Sequence, residues 1–166
     1  EEIFMAQKYF EMDSLSRALL GDGNALGFLD IIDDYGSSKS GNLAKYYAGM
    51  CYLKMGNFEE AIDYLEQHDP SDQIIGPMAI GAIGDAYLEL NEPDRAVGYY
   101  MDAADENIND FTTPMFLYKA GMTYELLKDY ERAYNAYERI YREFYRSAEG
   151  RTIERNMAKM KRMMEK

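Results

Sequence analysis

Apolar residues along this chain recur three and four positions apart, the pattern of helices that each bury one face. Ile3, Phe4, Gln7 and Phe10 share such a face near the start, and Leu26, Leu29, Ile32 and Tyr35 form a second stripe. Ile153, Met157, Met160 and Met164 form a last one. No segment alternates with period two between hairpin turns, so the pattern predicts helices and no sheet.

The helices come in repeats. Gly49, Tyr52 and Ala61 recur 35 residues later as Gly84, Tyr87 and Ala96, and 37 later again as Gly121, Tyr124 and Ala133. Leu65, Tyr100 and Tyr137 follow each alanine by four. Each unit reads as two helices. The glycine, facing the alanine, lets the two axes approach closely, and the tyrosine one turn on fills the space beyond. Gly56, Asn91 and Lys128 take the turn inside each hairpin. Gly76-Pro77 and Thr113-Pro114 suggest an N-cap before a proline at the first helical position, Asn57 with Glu60 a capping box, and Asp129 a further cap.

These spacings resemble the tetratricopeptide repeat (TPR), whose signature sets a small residue, an aromatic and an alanine at the same intervals. The early tryptophan and terminal proline of that signature are absent, and His68 and Ile140 replace a small residue late in the second helix. The resemblance implies an all-α, TPR-like superhelix of stacked antiparallel hairpins, read as one domain over residues 1–166. A degenerate N-terminal hairpin spans 1–40, with an insertion between its two stripes. Repeat units span 41–75, 76–112 and 113–148, and a capping helix spans 149–166.

Charge narrows the function. The net charge is -12, and phosphate contacts need cations, so nucleic acid is excluded as a partner. The charge is also lopsided. Residues 1–118 hold 6 basic and 22 acidic side chains, and residues 119–166 hold 12 and 8. Arg151, Arg155, Lys159, Lys161, Arg162 and Lys166 crowd the last helix, which suggests a solvated face or one set against acidic lipid or another copy. One cysteine, Cys51, and one histidine, His68, make neither a disulfide nor a Cys/His metal site. Cys51 falls on a core side of its helix, and Asp33-Asp34 and Glu59-Glu60 diverge as neighbours on a helix do. The Gly21–Gly27 loop lacks the strand, lysine and ligand spacing of a phosphate or calcium loop and reads as a connecting turn. The chain is therefore expected to be no enzyme, with no cofactor and no metal.

In the family, the concave face of the superhelix takes the partner. Carried over through the glycine landmark, that face is Tyr46, Met50 and Lys54, then Gly81, Asp85 and Glu89, then Tyr118, Met122 and Leu126. Lys54 alone is cationic, which disfavours a clamp for a peptide carboxylate. Tyrosine and methionine offer adaptable apolar contact, and the two acids suit a basic partner or a helix N-terminus. The same tyrosines and methionines also fit plain packing, with the groove filled by neighbours or by the terminal helix. Tyr130, Tyr134, Tyr137, Tyr141 and Tyr145 read as core between repeats, the last one or two exposed.

Residues 20–56, LGDGNALGFLDIIDDYGSSKSGNLAKYYAGMCYLKMG, resemble the YfgM-like bacterial envelope TPR-like group. That resemblance implies a periplasmic domain on the inner membrane, tethered through a segment upstream of Glu1. It also implies protein or peptide partners in translocation or among periplasmic chaperones. A scaffold of an outer-membrane assembly, a self-associating homodimer and a cytoplasmic home stay open as alternatives.

Overall fold

Three residues in left-handed backbone mark the bends of the repeats: Gly56 at φ 81°, Asn91 at φ 60° and Lys128 at φ 59°. Each closes a first helix in the same way. The bend N–H donates to the carbonyl three residues back, on Leu53, Leu88 and Glu125. The next N–H donates to the carbonyl of Tyr52, Tyr87 and Tyr124 at 2.8–2.9 Å. This pair of bonds satisfies carbonyls that the helix end leaves unpartnered. The three hairpin turns expected from the sequence are thus the same turn.

The computed structural model describes residues 3–165, and expectations resting on Glu1, Glu2 or Lys166 lie outside them. Its elements are α1 (Ile3–Glu11), α2 (Leu15–Leu20), α3 (Phe28–Tyr35), α4 (Lys39–Met55) and α5 (Phe58–Glu66). They continue as α6 (Ile75–Glu89), α7 (Pro93–Asp105), α8 (Thr112–Leu126), α9 (Tyr130–Glu143) and α10 (Ile153–Met164). Among the described residues there is no strand. The chain divides into two compact units, Glu1–Asp69 and Pro70–Lys166.

In the first unit, Tyr47 lies flat on Phe28 with ring centres 5.2 Å apart and meets the edge of Phe10 at the same distance. Ala6, Ala18, Leu19, Ile31, Ala44, Ala48 and Cys51 complete that core. The expected N-terminal hairpin is instead three helices, because the stretch read as an insertion folds into α2. Asp13 at φ 57° and Gly21 at φ 73° stop the helix on each side of it, and Ala18 and Leu19 anchor it. The glycine-rich loop that follows is a connecting turn closed on itself. Asp22 accepts from the Asn24 and Ala25 N–H groups and from the Tyr9 hydroxyl at 2.6–2.9 Å.

The second unit holds two full hairpins, α6–α7 and α8–α9, followed by α10. The glycine landmarks work, but against a different neighbour. A Cβ on Gly84 would lie 2.7 Å from the Tyr100 ring, and one on Gly121 would lie 2.3 Å from the Tyr137 ring. In the first unit the same atom on Gly49 would meet Leu65 at 2.5 Å. The close approach is therefore made for the large side chain four residues after the alanine, and Ala61 and Ala96 contribute a carbonyl at 3.1 Å.

The helix starts also differ from expectation. Pro77 and Pro114 sit at the third helical position, because α6 begins at Ile75 and α8 at Thr112. The caps lie further upstream. Asp72 accepts from the Ile74 and Ile75 N–H groups, and Asn109 accepts from those of Phe111 and Thr112. Proline is tolerated there because the N–H groups of a first turn have no intrahelical partner. Asp129 caps α9 as expected, accepting from the Arg132 N–H at 3.0 Å. Asn57 makes no such bond although its backbone, φ -93° and ψ 76°, matches that of Asp129. The Arg132 guanidinium also holds Asp129, at 2.5 Å.

Candidate partner-binding faces

The face expected to bind splits between the two units. In the first, α4 carries Tyr46, Met50 and Lys54. Tyr46 is half-buried, its ring 5.3 Å from Tyr47 and 5.9 Å from His68, and burial raises its hydroxyl pKa. Met50 is half-buried too. Lys54 lies over the Phe10 ring and bonds Asp13 at 2.6 Å, so the cation of this face is already engaged.

In the second unit the two acids part ways. Glu89 is exposed. Asp85 accepts from Lys119 at 2.6 and 2.8 Å and from the Tyr100 hydroxyl at 2.7 Å. Lys119 in turn hangs over the Tyr100 and Phe116 rings. Asp85 is therefore a neutralised post between α6 and α8, not a free charge awaiting a basic partner. Gly81 does not face solvent either, since a Cβ there would meet the Phe116 ring at 1.9 Å.

The sequence reading missed Lys119, and the signal was present. Asp85 and Lys119 are 34 residues apart, as are Asp105 and Arg139 (2.5 Å) and Glu125 and Lys159. Each acid meets a base on the helix two further along, one turn short of the repeat length. Glu125 also accepts from the Tyr137 hydroxyl at 2.7 Å, repeating the Tyr100–Asp85 contact. Burial and then the neighbouring carboxylate push both tyrosine hydroxyls well above their ordinary pKa.

One turn on from Asp85 and from Lys119, α6 and α8 each carry an exposed apolar residue. The same 34-residue step relates Leu88 on α6 to Met122 on α8, and they are 37% and 52% exposed. Leu126, one turn beyond, is 63% exposed, and Tyr118 is wedged half-buried against Tyr137. Of the face expected in this unit, Met122 and Leu126 are bare and Asp85 and Tyr118 are structural. Along α9, Tyr137 is buried, Tyr130 and Tyr134 are half-buried and Tyr141 is exposed. The helix ends at Glu143, so the exposed Tyr145 lies beyond it.

Cys51 and His68, the two residues considered for catalysis by type, are both buried. Cys51 is buried, and that burial pushes its thiol up to about 12. His68 is buried with Nδ1 2.9 Å from the Asn42 carbonyl, and its Nε2 has no partner. Among the described residues, no three His, Cys, Asp or Glu side chains come together to hold a metal. No helix there is long and apolar enough to cross a membrane.

Family comparison agrees with the repeats. Tetratricopeptide-repeat family models match residues 43–67 and 82–149. Among solved structures, the nearly identical TPR-like repeats of a Podosopora anserina putative kinesin light chain superpose with a TM-score of 0.69 at 10% identity, over 99% of this chain and 85% of that one. MamA superposes with a TM-score of 0.64 at 18% identity, over 96% and 92%. At these identities the likeness is one of fold. No curated protein matches the sequence. The chain carries tetratricopeptide repeats, an all-helical fold that is typically a non-catalytic scaffold for protein–protein interaction.

Proposed function

We propose that this chain is the partner-binding part of an adaptor, and that it takes a protein or peptide segment on the patch of Leu88, Met122 and Leu126. The observation that carries this is the exposure of three apolar side chains on α6 and α8, two helices tied together by the Asp85–Lys119 pair. A surface of this kind gives apolar contact at its centre, with charged groups already satisfied at its rim. The resemblance of residues 20–56 to the YfgM-like group supports an adaptor at the periplasmic side of a bacterial inner membrane, working with translocation or chaperone partners. It also supports a tether upstream of Glu1.

The test is affinity capture of the full-length protein from gently solubilised cell envelopes, comparing wild type with a Met122→Ser, Leu126→Ser variant. Both side chains are exposed, so stability is expected to hold. Translocon subunits or periplasmic chaperones enriched by wild type and lost with the variant support the reading. Equal recovery moves the surface elsewhere, and recovery of the protein in the cytosolic fraction removes the envelope assignment.

A further inference from the structure

The turn that leads into α6 is built again ahead of α8. Asp72 and Asn109 each accept from the N–H groups two and three residues on. The last residue before the helix, Ile74 in one and Phe111 in the other, has nearly the same backbone, φ -115° and ψ -50° against φ -110° and ψ -64°. Backbone this alike sends both side chains out the same way, and they are 41% and 62% exposed. Ile108 and Tyr145, also 37 residues apart, are 61% and 56% exposed. The loops that carry these four side chains adjoin. The Asn107 amide donates to the carbonyls of Pro70 and Asp72 at 3.2 and 3.4 Å, and that of Asn109 donates to Gln73 at 3.2 Å. Asp110 and Tyr145 line one hollow of about 180 Å³ in the loop ahead of α10, where the Gly150 N–H is held by Ser147. A single exposed apolar side chain is ordinary. Four of them on three adjoining loops, each pinned by side-chain hydrogen bonds, make a preorganised apolar edge of the kind that marks a site of association.

Charge says what fits there. The sequence has no Lys or Arg between Lys54 and Arg95, nor between Arg95 and Lys119. The loops ahead of α6 and α8, with the end of α7, therefore bring carboxylates alone: Asp72, Asp105, Glu106 and Asp110. The loop ahead of α10 is mixed, with Glu149 against Arg146 and Arg151. Arg139 of α9 reaches Asp105 but divides itself between that carboxylate and Glu143. Arg146 lies on Tyr145, its Nε 2.8 Å from the hydroxyl. Asp110 is exposed between Ile108 and Phe111 in the chain, so the apolar row carries its own negative charge. We infer that this edge takes a basic amphipathic segment of a partner protein, with apolar side chains on Ile74, Ile108, Phe111 and Tyr145 and Lys or Arg toward Glu106 and Asp110. The same carboxylates repel anionic lipid. Leu88 and Leu126 sit at the far ends of α6 and α8 from these loops, and this inference does not depend on the surface they form.

The test is a selection from random peptides displayed on phage, with the whole chain carrying Met122→Ser and Leu126→Ser as bait, so that the result stands apart from that of the adaptor surface. Enriched sequences are expected to combine Lys or Arg with leucine, isoleucine or aromatic residues. Fluorescein-labelled synthetic copies are expected to bind saturably when read by anisotropy. Ile108→Ser with Phe111→Ser, and separately Asp110→Lys, are each expected to weaken that binding by about tenfold or more. All three positions are exposed, so circular dichroism and thermal unfolding should match the bait. Glu59→Lys makes the same change of charge at an exposed position of α5 and should leave binding intact, which separates this edge from the general pull of an acidic chain. Enrichment of no peptide, of peptides without an excess of Lys and Arg, or of peptides indifferent to Ile108→Ser with Phe111→Ser overturns the proposal. So does a wild-type dimer that Phe111→Ser dissolves in sedimentation, which gives the edge to a second copy.

Discussion

Glu125 holds two neighbours at once, the hydroxyl of Tyr137 on α9 and the ammonium of Lys159 on α10. The first partner is buried and the second is more than half exposed, so the two contacts differ in worth. Replacing Glu125 with alanine leaves a buried hydroxyl without an acceptor and is expected to cost about 1–3 kcal/mol. Lys159→Ala removes a solvent-screened pair and is expected to cost under about 1 kcal/mol. Urea unfolding of the two variants checks the order, and equal losses would refute it.

Glycine positions in the second unit should split by sign. Gly121→Ala drives a Cβ into the Tyr137 ring and is expected to destabilise by about 1–3 kcal/mol. Gly98, exposed on α7, has nothing within 4 Å of its added Cβ, and Gly98→Ala is expected to stabilise by about 0.5–1 kcal/mol. Thermal melts of both read the contrast directly.

Lys128 occupies a left-handed bend that Gly56 fills in the first repeat. Lys128→Gly is expected to raise stability by up to about 1 kcal/mol, since the strain removed exceeds the entropy lost. A lower unfolding midpoint in Lys128→Gly would contradict this.

Acid should loosen the turn at Asp22. The Tyr9 hydroxyl, then the two backbone N–H groups, hold its carboxyl at about 2 against 3.8 for the free group. A group depressed on folding contributes stability above its unfolded value and loses it as pH falls through the folded one. Unfolding midpoints are expected to drop between pH 3.8 and about 2, and Asp22→Asn should show a shallower fall over that window.

The buried Cys51 should ignore alkylating agents in the folded chain, since a thiol pushed up to about 12 offers little thiolate at neutral pH. Labelling by iodoacetamide followed in urea should track unfolding, and rapid modification without denaturant would show the core to be open.

Much of this architecture was legible in the sequence because it repeats. Gly84 and Gly121 with their tyrosines, and the bends at Asn91 and Lys128, are local devices that recur at fixed offsets. What escaped notice depends on pairs. Asp85 reads as a free acid until Lys119 is placed on the next first helix. α2 escaped because six residues show too little periodicity, and its limits are set by backbone at Asp13 and Gly21. The caps at Asp72 and Asn109 escaped because the proline that follows each is the louder signal.

The acid-to-base step of 34 residues fixes spacing as well as charge. A single residue added to the Asn107–Asp110 connection would leave Asp85 facing one place short of Lys119 unless the loop bulged to absorb it. That loop has little slack, because Asn107 and Asn109 bond back to Pro70 and Gln73. An added residue here would therefore have to give up either the asparagine bonds of the loop or the Asp85–Lys119 pair, so charge pairing and loop length are tied to one spacing.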